Sequence, residues 1–185
     1  MKMQQTIRDH AAFRAVLQAM SRPGTIRHLP DNGGADPLLT LLSSLLDNEV
    51  AVAAVGADRD DVLDKIVRVT GCRPGPVTEA DFLLVLGASS GGRLSELRRG
   101  TSDYPETGAT VLYLPDEVAA EGGVVSLTGP GIRDSVAPLL SGIADDELKL
   151  LGEINRGFPL GVDAIFLDRT GKMTCIPRST QIGVT

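Results

Sequence analysis

The sequence contains no tryptophan, and aromatic residues fill only 3% of its 185 positions. That leaves few platforms on which nucleobases could stack. Cysteine is equally scarce. Cys72 and Cys175 are the only two, too few for a disulfide framework or a zinc site, which fits a reducing cytoplasm and leaves their own roles open. No apolar run approaches the ~20 residues needed to span a bilayer. The opening MKMQQTIRDH has no apolar core of the kind a secretory signal carries. Positive charge is also short, with 18 Lys plus Arg against 24 Asp plus Glu and a net charge of −6. Arg98–Arg99 is the only adjacent basic pair, so the basic footprint of a nucleic-acid partner is missing. These absences predict a cytoplasmic protein with neither nucleic-acid nor membrane partners.

What is present describes an ordinary globular chain, 42% hydrophobic and 23% charged, close to the average. The length predicts one domain over residues 1–185, large enough to bury about two-thirds of its unfolded surface. Only Lys2, Lys65, Lys149 and Lys172 of the basic residues are lysines. The arginine surplus offers planar forks for carboxylate, phosphate or interface pairing, or reflects codon usage alone.

The patterning alternates between the two periods. Asp9 reads as the cap of a first helix whose apolar positions are Ala12, Phe13, Val16, Leu17 and Met20, ended at Ser21–Gly24 because Pro23 disfavours helical geometry at Arg22. A short extended piece at 25–29 and a loop at Asn32–Gly34 follow. Asp36–Pro37 then starts a helix. Leu38, Leu39, Leu41, Leu42, Leu45 and Leu46 cover more than one face of it, predicting surplus apolar surface for the fold or a subunit interface. The runs 50–55 and 82–86 are continuously apolar and read as strands buried on both faces, joined by a helix at 61–70 that Gly71 closes. Residues 93–99 read as a short helix, 110–114 and 124–127 as strands, 145–154 as a helix, and 164–167 with 173–176 as a hairpin. The sum is a three-layer α/β/α domain with a mixed central sheet.

Candidate chemistry is thin. Gly87–Ala88–Ser89–Ser90–Gly91 matches the nucleophile elbow G-x-S-x-G, but the histidine base of that fold follows its serine, and His10 and His28 both precede it. The segment reads better as a small-residue turn into a helix, whose free N–H groups over Ser89–Gly92 could hold an anion. Gly129–Pro130–Gly131 reads as a structural turn. His10 and His28 lie in different elements, and Asp60–Asp61 and Asp145–Asp146 read as helix-start charges, which leaves no metal site. Asp47 and Glu49 are a carboxylate pair or simply a solvated helix end. Arg178 beside Ser179 and Thr180 could read phosphate, or pin the C-terminal segment or a partner chain. No lysine follows a buried strand, so a pyridoxal-phosphate Schiff base is not expected.

Several separated segments agree with one family. They are Phe13-Arg14-x-x-Leu17-x-Ala19-Met20-Ser21-Arg22-Pro23-Gly24-x-Ile26, Leu41–Leu42 with Leu45, Leu46 and Asp47, Pro105-Glu106-x-Gly108-Ala109-Thr110, Leu127-Thr128-Gly129-Pro130-Gly131-Ile132, Phe158-Pro159-Leu160-Gly161-Val162-Asp163 and Ile176-Pro177-Arg178-Ser179-Thr180. In this order the set resembles the PhnH family, a subunit of the bacterial carbon–phosphorus lyase system for phosphonate use. The resemblance implies an α/β/α fold like the large domain of type I pyridoxal-phosphate transferases, without the cofactor site, and a homodimer. It implies a core complex with PhnG, PhnI and PhnJ (and PhnK or PhnL), with ATP or phosphonate met through the complex. It further implies that the chain, with PhnG, PhnI and PhnL, supports replacement of the adenine of ATP by an alkylphosphonate to give a ribose 1-phosphonate 5-triphosphate, with catalysis chiefly on PhnI. Arg22, Pro23, Gly24, Pro159, Gly161, Asp163, Arg178 and Thr180 are the motif positions expected to fix turns, meet partners or touch phosphate. The alternatives are a stand-alone phosphate- or nucleotide-binding protein or small-molecule enzyme using Ser89–Gly92, Arg22 and Arg178, and a purely structural homodimer.

Overall fold

A computed structural model describes residues 2–30 and 33–184. Helix α1 (Lys2–Ser21) leads into the short strand β1 (Arg27–His28), then α2 (Pro37–Ser43), β2 (Ala51–Gly56), α3 (Arg59–Thr70), β3 (Arg73–Pro74) and β4 (Phe82–Leu86). After two 3-10 turns come β5 (Thr110–Tyr113), β6 (Glu117–Ala119), β7 (Val125–Thr128) and β8 (Leu139–Ser141). Helix α4 (Asp145–Asn155), β9 (Asp163–Leu167), β10 (Lys172–Ile176) and β11 (Gln181–Val184) complete the chain.

Seven strands form one mixed sheet in the order β1-β10-β9-β5-β4-β2-β3. Strands β3, β2, β4, β5 and β9 run parallel, whereas β10 is antiparallel to both β9 and β1. Strands β2 and β4 pair from Val52↔Phe82 to Gly56↔Leu86, the two continuous apolar runs lying side by side as interior strands of the sheet, as burial on both faces requires. On one face, Ala15, Val16 and Ala19 of α1, Leu41 and Leu42 of α2 and Ile66 of α3 pack against Val52, Leu84, Leu112 and Ile165. On the other, Leu148, Leu151 and Ile154 of α4 join Val118, Val125, Leu127 and Leu140 over Val85, Val111, Tyr113 and Phe166. The second outer layer is therefore one helix plus two small two-stranded sheets, β11-β7 and β6-β8, rather than helices alone.

Several local expectations hold. Asp36 caps α2 by accepting from Leu38 N at 2.9 Å, with Pro37 in the first turn. Gly71 ends α3 at φ 77, a left-handed geometry that glycine adopts without penalty. The hairpin of β9 and β10 pairs Met173 with Leu167.

Others need correction. Asp9 lies inside α1, which starts at Lys2, so it is no cap. The buried face of α1 is Ala12, Ala15, Val16 and Ala19, while Phe13 and Leu17 are 42% and 52% exposed; small residues, not the large ones, bring this helix close to its neighbours. The leucines of 38–46 are buried or half-buried within the chain, so α2 leaves no surplus apolar face, whereas α1 exposes Phe13 and Leu17. The helix expected at 93–99 is one 3-10 turn, Arg93–Glu96, ended by Leu97 turning extended. The strand at 124–127 pairs outside the main sheet, with β11. Asn32 of the expected loop falls outside the described residues.

Candidate functional site

Arg178 follows β10, and Asp163 opens the neighbouring β9, so the hairpin sets them side by side. The guanidinium Nε donates to both carboxylate oxygens of Asp163 at 3.2 Å, and Nη2 donates to Oδ2 at 2.5 Å. Its other contacts are the carbonyls of Pro105 at 2.5 Å and Gly108 at 3.3 Å. Asp163 Oδ1 also accepts from Arg178 N at 2.8 Å. The fork is thus nearly filled by the protein's own acceptors. A Cβ on Gly108 would run into the Arg178 guanidinium, and one on Gly161 into Asn155 Oδ1. Asn155 in turn donates to Val162 O at 3.0 Å and accepts from Val162 N at 2.9 Å. Three of the separated sequence motifs meet at this one junction. Pro159, after a cis bond from Phe158, lies exposed beside it. Thr180 is 3% exposed, its Oγ1 has no hydrogen-bond partner, and it lines a small recess of about 390 Å³ with Arg156 and Arg178.

A second junction gathers two more of the motifs, the segments at 13–26 and 127–132. The carbonyl of Arg22 accepts from Thr25 N at 3.2 Å and from Thr25 Oγ1 at 2.7 Å. Gly24 N donates to Cys175 O at 3.3 Å. Gly131, at φ 83, abuts the Ser21 carbonyl and Pro23 so closely that no Cβ fits. Pro23 and Gly24 are buried, and the Arg22 side chain is exposed. Arg22 and Arg178 therefore belong to different junctions.

Another cavity contains none of these residues. It measures about 1090 Å³ and opens at the C-terminal ends of the parallel strands. The chain leaves β2 towards the β3 edge with α3 on one face, and leaves β4 towards β5 and β9 on the other side. That reversal makes a crevice where open α/β sheets take ligands. Ala57 and Asp58 after β2, Gly87 after β4, Asp116 after β5, and Asp168 and Arg169 after β9 form its floor, with His28 and Asp36 at its rim. Asp168 is already engaged. Its Oδ1 accepts from Thr170 N at 2.8 Å, Thr170 Oγ1 at 2.7 Å and Lys172 N at 3.0 Å, and Oδ2 accepts from Val118 N at 3.2 Å. Burial alone would raise its pKa, but these donors outweigh burial and hold it below the usual carboxylate range. The cavity carries more carboxylates than cations, so it disfavours a free phosphate. Sequence reading missed this site, although an Asp one to three positions past each of three buried strands was a visible signal.

The loop Gly87–Gly92 differs from its expected role as an anion seat. It leads into a 3-10 turn of four residues, too short for a macrodipole. Ser89 Oγ donates to Glu147 at 3.0 Å, which sets a carboxylate beside the loop. Asp47 Oδ1 accepts from Glu49 N at 2.9 Å, and both residues are exposed, the solvated helix-end arrangement. His10 is exposed on α1 and His28 on β1. Lys65 is exposed on α3, Lys149 pairs with Asp146 at 3.0 Å, and Lys172 opens β10. The side chain of Lys2 lies outside the described residues. No helix among the described residues is long and apolar enough to cross a membrane.

The family model described as "Bacterial phosphonate metabolism protein (PhnH)" matches residues 2–183. A protein of Stutzerimonas stutzeri, provisionally named C-P lyase subunit protein HtxG, is 36% identical over 183 residues, covering 97% of this chain and 88% of that protein.

Proposed function

This chain belongs to the PhnH family of bacterial phosphonate metabolism proteins, and from that premise we propose that it is a subunit that supports, with PhnG, PhnI and PhnL, the transfer of an alkylphosphonate onto ATP with release of adenine. The observation that carries the reading is the match over 2–183, together with where the motif residues go. Asp163, Arg178, Gly108 and Gly161 interlock with one another and with Asn155. Residues committed to one another in this way support a scaffold role over substrate contact. Arg178, whose donors face Asp163 and two carbonyls, has little left to offer a phosphate. That weakens the reading of a stand-alone phosphate- or nucleotide-binding protein.

The chain acts in the cytoplasm, as a homodimer or in the core complex with PhnG, PhnI and PhnJ, joined by PhnK or PhnL. Phe13 and Leu17, one helical turn apart and 42% and 52% exposed, supply apolar surface of the kind partners cover. The fold is a relative of the large domain of type I pyridoxal-phosphate transferases that has lost its cofactor. Exposed Lys65 and the Lys149–Asp146 pair support the absence of a Schiff base, since that chemistry needs a sheltered, unpaired amine. A borohydride-reducible adduct on a single lysine would contradict this.

The test is reconstitution from purified subunits with ATP and methylphosphonate, following adenine release and the phosphonylated ribose product. Leaving this chain out abolishes the product or diverts ATP to hydrolysis. Unchanged product without it would overturn the proposal.

A further inference from the structure

The serine of Gly87–Gly91 lacks a downstream histidine, but the fold brings a different base to it. Glu147, in the first turn of α4, is only 3% exposed. Its Oε2 accepts from Ser89 Oγ at 3.0 Å and its Oε1 accepts from Tyr113 Oη at 2.8 Å. Among the described residues no lysine or arginine pairs with it. A buried carboxylate without a cation is costly, and here two hydroxyls at a helix N-terminus sustain it. Tyr113 is fully buried. Burial, and then the charge and hydrogen bond of Glu147, raise its pKa well above the usual phenol value, so it remains a donor and fixes the carboxylate. Ser89 is the one exposed member of the chain Tyr113–Glu147–Ser89.

The surroundings of the hydroxyl suit attack. Gly91 N donates to Ser89 Oγ at 3.0 Å, which fixes the hydroxyl while its proton points at Glu147. A Cβ placed on Gly87, Gly91 or Gly92 would meet nothing within 4 Å, so an incoming group approaches over bare backbone. A serine whose proton points at a buried carboxylate, held by a third group, has the nucleophile–base–orienter arrangement.

We propose that Ser89 is a nucleophile, with Glu147 as its general base and Tyr113 as a positioning residue, and that it accepts a phosphonyl group carrying a leaving group. As Oγ attacks phosphorus, the P–Oγ bond forms and the bond from phosphorus to the leaving group breaks. The leaving group departs with its electron pair, and the hydroxyl proton passes to Glu147 Oε2. Nothing is oxidised or reduced. The neighbouring carboxylate repels a phosphonate dianion, so the acceptable donor is an uncharged ester or halide. The family reading supplies phosphonates only as anions that displace adenine, so the uncharged phosphonyl ester or halide is named by its chemical class, and neither it nor the nucleophile rests on that reading.

The experiment exposes the full-length chain to an alkyl fluorophosphonate, whose leaving group is fluoride, and maps adducts by peptide mass spectrometry. Ser21 and Ser95 serve as internal controls, both exposed and both donating only to carbonyls, those of Gln18 and Gly92 at 3.0 and 2.7 Å. Ser89 is expected to label roughly 10²-fold faster than either, the rate a positioned general base provides. Glu147→Gln removes most of that advantage, while Ser89→Ala abolishes the fast adduct. The wild-type comparison needs no variant to fold, and equal rates at the three serines would overturn the proposal. So would an unslowed Glu147→Gln chain. Acylation of Ser89 by p-nitrophenyl acetate without any fluorophosphonate adduct would overturn the phosphonyl assignment. Labelling is read on the isolated chain, so its failure leaves the subunit reading standing, and subunit omission tests that reading separately.

Discussion

Arg178 meets Asp163 in a forked ion pair, Nε to both oxygens at 3.2 Å and Nη2 to Oδ2 at 2.5 Å, with side chains 13% and 24% exposed. The same guanidinium holds the carbonyls of Pro105 and Gly108, so one side chain ties β9 and β10 to the segment that leads into β5. Removing it strands a largely buried carboxylate and two carbonyls at once. Arg178→Ala should lower unfolding free energy by about 3 kcal/mol, read from urea midpoints at unchanged slope. Arg178→Lys should recover only part of that, because an ammonium cannot reproduce the fork. A change below about 0.5 kcal/mol in the alanine variant would show that the junction is not structural.

Gly131 lies at φ 83 against the Ser21 carbonyl, with Pro23 Cδ 3.0 Å from where its Cβ would sit. Alanine there adds left-handed strain to a clash with backbone. Gly131→Ala should destabilise by roughly 1–3 kcal/mol, and thermal unfolding should report it. Gly33→Ala, also at positive φ but with open space around its Cβ, should cost only the left-handed strain, about 1–2 kcal/mol.

Asp168 predicts a pH signature. Its folded pKa lies below its ordinary value because the donors of Thr170, Val118 and Lys172 favour the charged form over the penalty of burial. Its contribution is therefore complete above about pH 4, the unfolded carboxylate range, and is lost as pH falls through the lowered folded value. Asp168→Asn should cost about 1–2 kcal/mol at neutral pH, and the gap to wild type should narrow below about pH 4. A gap that stays constant from neutral to acid in urea unfolding would contradict this.

Cys175 is fully buried, and burial first, then the charge of Asp163, pushes its thiol far up. Cys72 is 2% exposed. Neither thiol should react with a disulfide reagent in the native chain at neutral pH, and both should react once it is unfolded in denaturant. Rapid native labelling at Cys175 would contradict the burial.

Much of this was legible in residue order. The apolar runs that became β2 and β4, the Asp36–Pro37 start of α2 and the Gly71 stop of α3 are local signals with local causes, and they hold. Phe13 and Leu17 misled because their period is helical but their stripe lies beside the one that packs, where alanines permit close approach. The strand at 125–128 looked like any sheet strand, since its partner at 181–184 lies too far along the chain for pattern to show it. The same distance hid the serine's base. Glu147 lies 58 residues after Ser89, in a helix turn whose acidic neighbours Asp145 and Asp146 read as ordinary helix-start charges.

The central claim, that this chain works as a subunit of the carbon–phosphorus lyase system, is tested most directly by copurification. Affinity-tagged PhnI coexpressed with this chain, PhnG and PhnJ should retain it in fixed proportion through size exclusion. Elution of this chain apart from the other three, with the three still assembled, would contradict the account.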